Sequence, residues 1–190
     1  MKNSAIILTF LYVVLSCGGR KAPSTTPATD VVTPEFCADS AYNYIKAQTD
    51  FGPRVPNTDA QQNCAAWLMT KLKEFGAETF LQGFETVTFD KTRIRGYNII
   101  GSYNPESPTR IILCSHWDSR PWADNDPDPA NWQKPVDAAN DGASGVAVIL
   151  EIARQMQKQT PDIGVDCIFL DAEDWGPGDN YQGEHLETYW

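Results

Sequence analysis

Three runs of sequence decide the fold: Arg110-Ile111-Ile112-Leu113-Cys114-Ser115-His116-Trp117-Asp118, then Asp141-Gly142-Ala143-Ser144-Gly145, then Gly164-Val165-Asp166-Cys167-Ile168-Phe169-Leu170-Asp171-Ala172-Glu173-Asp174. The first and last are continuously apolar up to their acidic ends, the pattern of strands buried on both faces, with Cys114 and Cys167 behaving as small hydrophobes. Between them Val146, Ile149, Leu150 and Ala153 recur at helical spacing on one face, while Glu151 and Arg154 point elsewhere. Asp141 stands where the cap of that helix belongs. Strand, loop, helix and strand in this order predict a parallel crossover, a βαβ unit expected to be right-handed.

A crossover puts both strand C-termini and the helix N-terminus at one edge of the sheet, where open α/β folds place their ligand crevices. His116 and Asp118 follow the first strand, Asp141 opens the helix, and Asp171, Glu173 and Asp174 follow the second strand. One imidazole and several carboxylates therefore meet in one crevice. They cannot all stay ionised and unpaired there, and a divalent cation is the simplest relief. With imidazole beside carboxylates and no thiolate cluster, zinc is the first metal to consider; manganese or magnesium is the all-oxygen alternative. Each acid also has a plainer reading: Asp141 as a helix cap, Asp118 as a turn former, Glu173 and Asp174 as a solvated loop pair.

Upstream, residues 39–48 have helical character, ended by Phe51-Gly52-Pro53-Arg54. A second helix starts at Thr58 and Gln61, a capping-box pattern. It presents Cys64, Leu68, Leu72 and Phe75 on one face and stops at Gly76. Residues 84–89 alternate like a half-exposed strand, and 97–102 read as a more buried one.

The chain has 190 residues, 42% of them hydrophobic, and six Trp, enough for one domain with a real core. A net charge of -10 disfavours a nucleic-acid binder. At the N-terminus an apolar run over 5–15 sits behind Lys2 and ahead of Ser16-Cys17-Gly18-Gly19. It is too short to cross a bilayer and has the layout of an export signal; an N-terminal structural helix is the alternative. Cys17 resembles the modified cysteine of a bacterial lipoprotein. The expected organisation is a lipoprotein-type signal peptide over 1–16, a flexible Ser/Thr/Pro tether over 17–34 and a catalytic portion over 35–190, exported to the periplasm and held at the membrane through lipid on Cys17.

The motifs Ser115-His116-Trp117-Asp118-Ser119, Ala139-Asn140-Asp141-Gly142-Ala143-Ser144-Gly145 and Asp171-Ala172-Glu173-Asp174, with Phe51-Gly52-Pro53-Arg54 in the first loop, resemble the zinc exopeptidase superfamily. That superfamily holds di-zinc aminopeptidases and, on the same fold, glutaminyl-peptide cyclotransferases. The resemblance implies a three-layer α/β fold with a mixed, largely parallel central sheet. It implies Asp141 and Asp174 as metal ligands and Glu173 as general acid/base. His116 would bind the second metal of an aminopeptidase or support the single zinc of a cyclotransferase from behind, and Asp118 would orient His116. Trp117, the Ser119-Arg120-Pro121 after it and the Trp-bearing loop to Val136 look like the bacterial cyclotransferase. Five Trp at or beyond position 117 (Trp117, Trp122, Trp132, Trp175 and Trp190) suit a pocket for a glutamine side chain or, equally, simple packing.

The expected function is cyclisation of N-terminal glutamine to pyroglutamate with release of ammonia, on peptides or proteins with a free N-terminus. Zinc aminopeptidase activity and a non-catalytic lipid-anchored binding module are the alternatives. The family's further metal-binding His comes from well downstream of Glu173-Asp174, and His185 does not match it. The chain therefore reads as the N-terminal part of a longer enzyme, poorly stable and inactive alone.

Overall fold

The computed structural model describes residues 32–178. The signal-like run, Cys17, nearly all of the expected tether, His185 and Trp190 lie outside these residues. Helix α1 (Ala38–Thr49) and helix α2 (Asp59–Glu74) precede a long hairpin of β1 (Glu78–Val87) and β2 (Arg93–Tyr103). Then come β3 (Arg110–His116), helix α3 (Ala143–Lys158) and β4 (Gly164–Leu170). The sheet order is β1-β2-β4-β3, with β3 and β4 parallel and the other two ladders antiparallel. The crossover therefore joins adjacent parallel strands, as the apolar runs predict.

α2 starts where the capping residues place it. Thr58 Oγ accepts from the Gln61 amide at 3.2 Å, and the fully buried Gln61 side chain accepts from the Asn57 amide at 2.9 Å. Gly76 follows the helix at φ 91°, a conformation only glycine adopts at little cost. Leu68 and Leu72 of α2, Val146, Leu150 and Ala153 of α3, and Ile99, Cys167 and Phe169 of the sheet form one core. Burying each large side chain contributes about 1.5–3 kcal/mol, which is why α2 and α3 stay on this face.

The opposite face differs from the expectation of strands buried on both sides. Cys167 is buried, but Cys114 is exposed together with Ile112 and Leu170. Alternation sends Ile112, Cys114 and Leu170 to the face without helices among the described residues, and β3 is an edge strand. The second helical layer of a three-layer fold is therefore not among the described residues. Glu151 also departs from the helical-face reading. It is fully buried, accepting from the Cys37 amide and from Arg154, and so ties the start of α1 to α3.

Candidate active site

At the C-terminal ends of β3 and β4 the chain brings the three acidic turns together. His116 ends β3, and its ring links them: Nε2 lies 2.9 Å from Asp141 Oδ1, while Nδ1 lies 3.4 Å from Asp118 Oδ1 and 3.8 Å from Glu173 Oε2. The 3.4 Å approach lacks the alignment of a hydrogen bond, which leaves Nδ1 buried without a partner. Asp118 is wholly buried and accepts from the Glu173 amide at 3.2 Å and the Asp174 amide at 3.0 Å. One carboxylate thus fastens the turn after β4 to the turn after β3. The side chains of Asp141 and Glu173 stay open to solvent, 78% and 63% exposed.

Asp141 does not cap α3. Gly142 occupies that position at φ 97° without a side-chain cap, and the Asp141 carboxylate is engaged by His116 instead. A Cβ at Gly142 would lie 3.0 Å from the Asp118 carbonyl and 3.1 Å from His116 Cε1, so the helix start approaches the imidazole as closely as glycine allows. Ala172, at φ 64°, makes a second strained turn directly before Glu173.

The electrostatics follow from this crowding. The neighbouring Asp118 carboxylate, helped by Asp141 and Glu173 and opposed by burial, holds the His116 pKa up at about 9. Burial and then the charge of Asp118 push Asp174 up to about 6, against the pull of Arg120. Burial raises Asp171 to about 7, although its carboxylate accepts from the Tyr97 amide and Gln61 Nε2, each at 2.7 Å. The imidazole carries the proton that a surplus of carboxylates demands.

Three participants were not assigned by sequence reasoning. Arg54 is fully buried and donates to the carbonyls of Trp117, Asp137 and Ala138. Arg120 donates to the Asp174 carbonyl, pairs with both Asp124 oxygens and lies 5.5 Å over the Trp122 ring. Asp171 closes the β4 end onto β2. Arg54 and Arg120 were visible in sequence only as parts of motifs, because a partner carbonyl leaves no trace in residue type.

The aromatic residues divide. Trp117 is a core residue, with no exposed surface and Nε1 donating to the Tyr97 carbonyl. Trp122 packs edge to face on both Trp175 and Phe89, beside the Asp174 turn. Trp132 sits on the loop with Nε1 held by the Asp126 carbonyl.

Among the described residues no three His, Cys, Asp or Glu side chains converge as a ready-made metal centre. The donor types nevertheless fit zinc: the carboxylates of Asp141 and Asp174, with the His116 imidazole 2.9 Å from Asp141 Oδ1 as a further ligand or as its support.

Residues 98–178 match the model of Peptidase family M28, and the stretch matched is the one that carries the acidic turns. The chain also resembles glutaminyl cyclases. It is 53% identical to Bacteroides thetaiotaomicron glutaminyl cyclase, with a TM-score of 0.80 over 84% of this chain and 55% of that one. A Zn-dependent exopeptidase from Parabacteroides distasonis is 46% identical, with a TM-score of 0.80 over 83% of this chain and 54% of the other. The bovine glutaminyl-peptide cyclotransferase is 28% identical over 165 residues, covering 74% of this chain and 43% of that protein. The chain thus spans about half the length of these relatives.

Proposed function

We propose that this chain is the part of a zinc-dependent glutaminyl-peptide cyclotransferase that holds its acid/base residue. The carrying observation is the meeting of His116, Asp118, Asp141 and the Glu173-Asp174 turn at one sheet edge, in a chain similar to bacterial glutaminyl cyclases. Asp141 and Asp174 would hold the metal, with His116 behind them and Asp118 fixing the ring. Zinc bound there supplies a Lewis acid for the γ-amide carbonyl of an N-terminal glutamine.

The remaining work belongs to the chain. The α-amine of the substrate is tethered to its own γ-carbonyl, so the effective concentration of nucleophile is high without any activated water. Glu173, exposed and held by the hydrogen bond that its backbone amide donates to Asp118, takes the amine proton and returns one to the departing ammonia. Trp122 and Trp175 offer an apolar wall for the glutamine methylenes.

Cys17, outside the described residues, is proposed to carry lipid and to hold the exported protein at the membrane facing the periplasm. The uncovered Ile112, Cys114 and Leu170 support the expectation that the 190 residues alone turn over no substrate.

The test measures zinc content and ammonia release from glutaminyl peptides in two proteins: the 190-residue chain, and a chimera continuing it with the remainder of the Bacteroides cyclase. The chimera is expected to cyclise and to lose zinc when Asp141 and Asp174 are changed to Asn. A folded, zinc-loaded chimera without cyclisation overturns the assignment. The peptidase-family match favours one second reading, an aminopeptidase using two metals with His116 as a ligand. His116→Ala separates them: cyclisation would keep its zinc and much of its rate, whereas hydrolysis would collapse with loss of one metal.

A further inference from the structure

Arg54 is a fully buried cation that forms no ion pair among the described residues. Its guanidinium is spent on three carbonyls: Nε to Trp117 at 3.4 Å, Nη1 to Asp137 at 2.5 Å and Nη2 to Ala138 at 2.9 Å. Its backbone exchanges two further bonds with Ser119, the amide donating to Oγ at 3.0 Å and the carbonyl accepting from the Ser119 amide at 3.3 Å. Trp117 and Ser119 flank Asp118. Ala138, at φ 52°, also accepts from the Ala143 amide in the first turn of α3, next to Asp141 and Gly142. Burying a guanidinium with no carboxylate in direct contact, the charges of Asp118 and Asp137 reaching it only from a distance, is costly, so a hydrophobic residue would hold a loop here at lower cost. What a hydrophobe lacks is a planar fork that can bridge carbonyls from two loops at once.

We propose that Arg54 is a positioning residue of the acid cluster: it sets the separation between the turn carrying Asp118 and the turn carrying Asp141. Because Asp118 fastens the amides of Glu173 and Asp174, the placement of that turn depends on Arg54 as well, although Arg54 touches neither residue. The proposal rests on the proposed function only for what the cluster is used for. The geometric claim stands by itself.

The test is site-resolved amide hydrogen exchange on the full chain, comparing wild type with Arg54→Met and Arg54→Lys. The Met variant is expected to speed exchange at Glu173, Asp174 and Ala143 by roughly tenfold or more, while the β1–β2 ladder keeps its protection. The Lys variant should fall between, since an ammonium keeps the charge but not the fork. A purely local packing role would move amides beside Arg54 and leave Glu173 and Asp174 alone, and that outcome overturns the proposal. So does equal loss of protection across the sheet, or absence of protection at Glu173 and Asp174 in wild type. If the Met variant does not fold, the Lys variant decides by the same criteria; failure of both to fold makes Arg54 a core residue and also overturns it. Zinc titration of the chimera runs in parallel, and failure to bind there counts against the proposed function without touching the exchange result.

Discussion

Asp166 and Asp171 lie at opposite ends of one strand, β4, and their carboxyl groups shift in opposite directions. Asp166 is held below its usual range by Arg110, whose Nε and Nη2 grip its two oxygens at 2.9 and 2.6 Å, with Ser102 adding a third bond. Asp171 is pushed up to about 7 by burial, with amide donors but no cation. The end of the strand pair that only closes the fold balances its charge internally. The other end gathers Asp118, Asp141, Glu173 and Asp174 around one imidazole and Arg120, with Asp171 and Arg54 both acting on Asp118, and stays in deficit. Such a deficit opposes folding unless something outside the chain, a proton or a metal ion, supplies the missing charge.

The sharpest way to break this contrast is to remove one charged group from each end. In the zinc-loaded chimera, Glu173→Gln is expected to lower cyclisation by about 10²–10⁴-fold while zinc content is unchanged. Arg110→Met should leave the rate within about twofold, since the Arg110 guanidinium bonds to Asn104 and Asp166, at the opposite end of the strand pair from the acid cluster. Ammonia release under saturating peptide measures both. A near-normal rate for the Gln variant removes Glu173 from its role.

Stability against pH tests the same contrast without substrate. Asp171, raised in the folded chain, leaves that state holding more protons than the unfolded one between about pH 4 and pH 7. Unfolding free energy should therefore fall as pH rises through that window, by roughly a few kcal/mol, and go on falling towards pH 9 as His116, also raised, loses its proton. Asp174 shifts the same way, so Asp171→Asn flattens the curve only in part. Asp166 acts in the opposite sense. Its contribution is fully present above the ordinary carboxylate range and disappears as pH falls through its lowered value. Urea unfolding across the two windows separates them, and a flat profile between pH 4 and 7 would sink the account of Asp171.

Gly142→Ala probes how closely the site is packed. At φ 97°, with the Asp118 carbonyl 3.0 Å from the added carbon, the variant should lose about 1–3 kcal/mol in urea unfolding. Gly83, in the hairpin, meets only the Tyr97 ring at 3.8 Å, so Gly83→Ala should cost less than about 1 kcal/mol. Equal losses would mean that the glycine of the acidic motif serves no closer approach than any other.

The legible parts of this chain were those where residue type dictates geometry. Helical spacing located α3, Thr58 and Gln61 located the start of α2, and the crossover rule brought His116, Asp141 and Glu173 to one edge before any coordinates. The illegible parts depend on partners distant in sequence. Cys114 and Cys167 sit in similar apolar runs, yet one is exposed and the other buried, because the register pairs Cys167 with Leu113 and leaves Cys114 on the other face of the sheet. Trp117 reads equally as a pocket residue or as simple packing, and its indole, reaching back to the Tyr97 carbonyl, makes it core. Asp141 reads as a cap because nothing in its own segment says that an imidazole from β3 will claim it.

The smallest effect belongs to the balanced end. The side chains of Arg110 and Asp166 are 26% and 20% exposed, so water screens part of their attraction, and a partly exposed pair contributes about 1 kcal/mol. Arg110→Met should therefore lower unfolding free energy by about that much near neutral pH, and the difference should vanish once Asp166 is protonated in acid. Ser102 keeps one bond to Asp166 in the variant, which limits the loss. A deficit several times larger, or one that persists in acid, would show that Arg110 acts through its bond to the Asn104 carbonyl and the strand ends rather than through charge. The two ends of β4 would then differ in packing, and the charge argument would apply to the acidic edge alone.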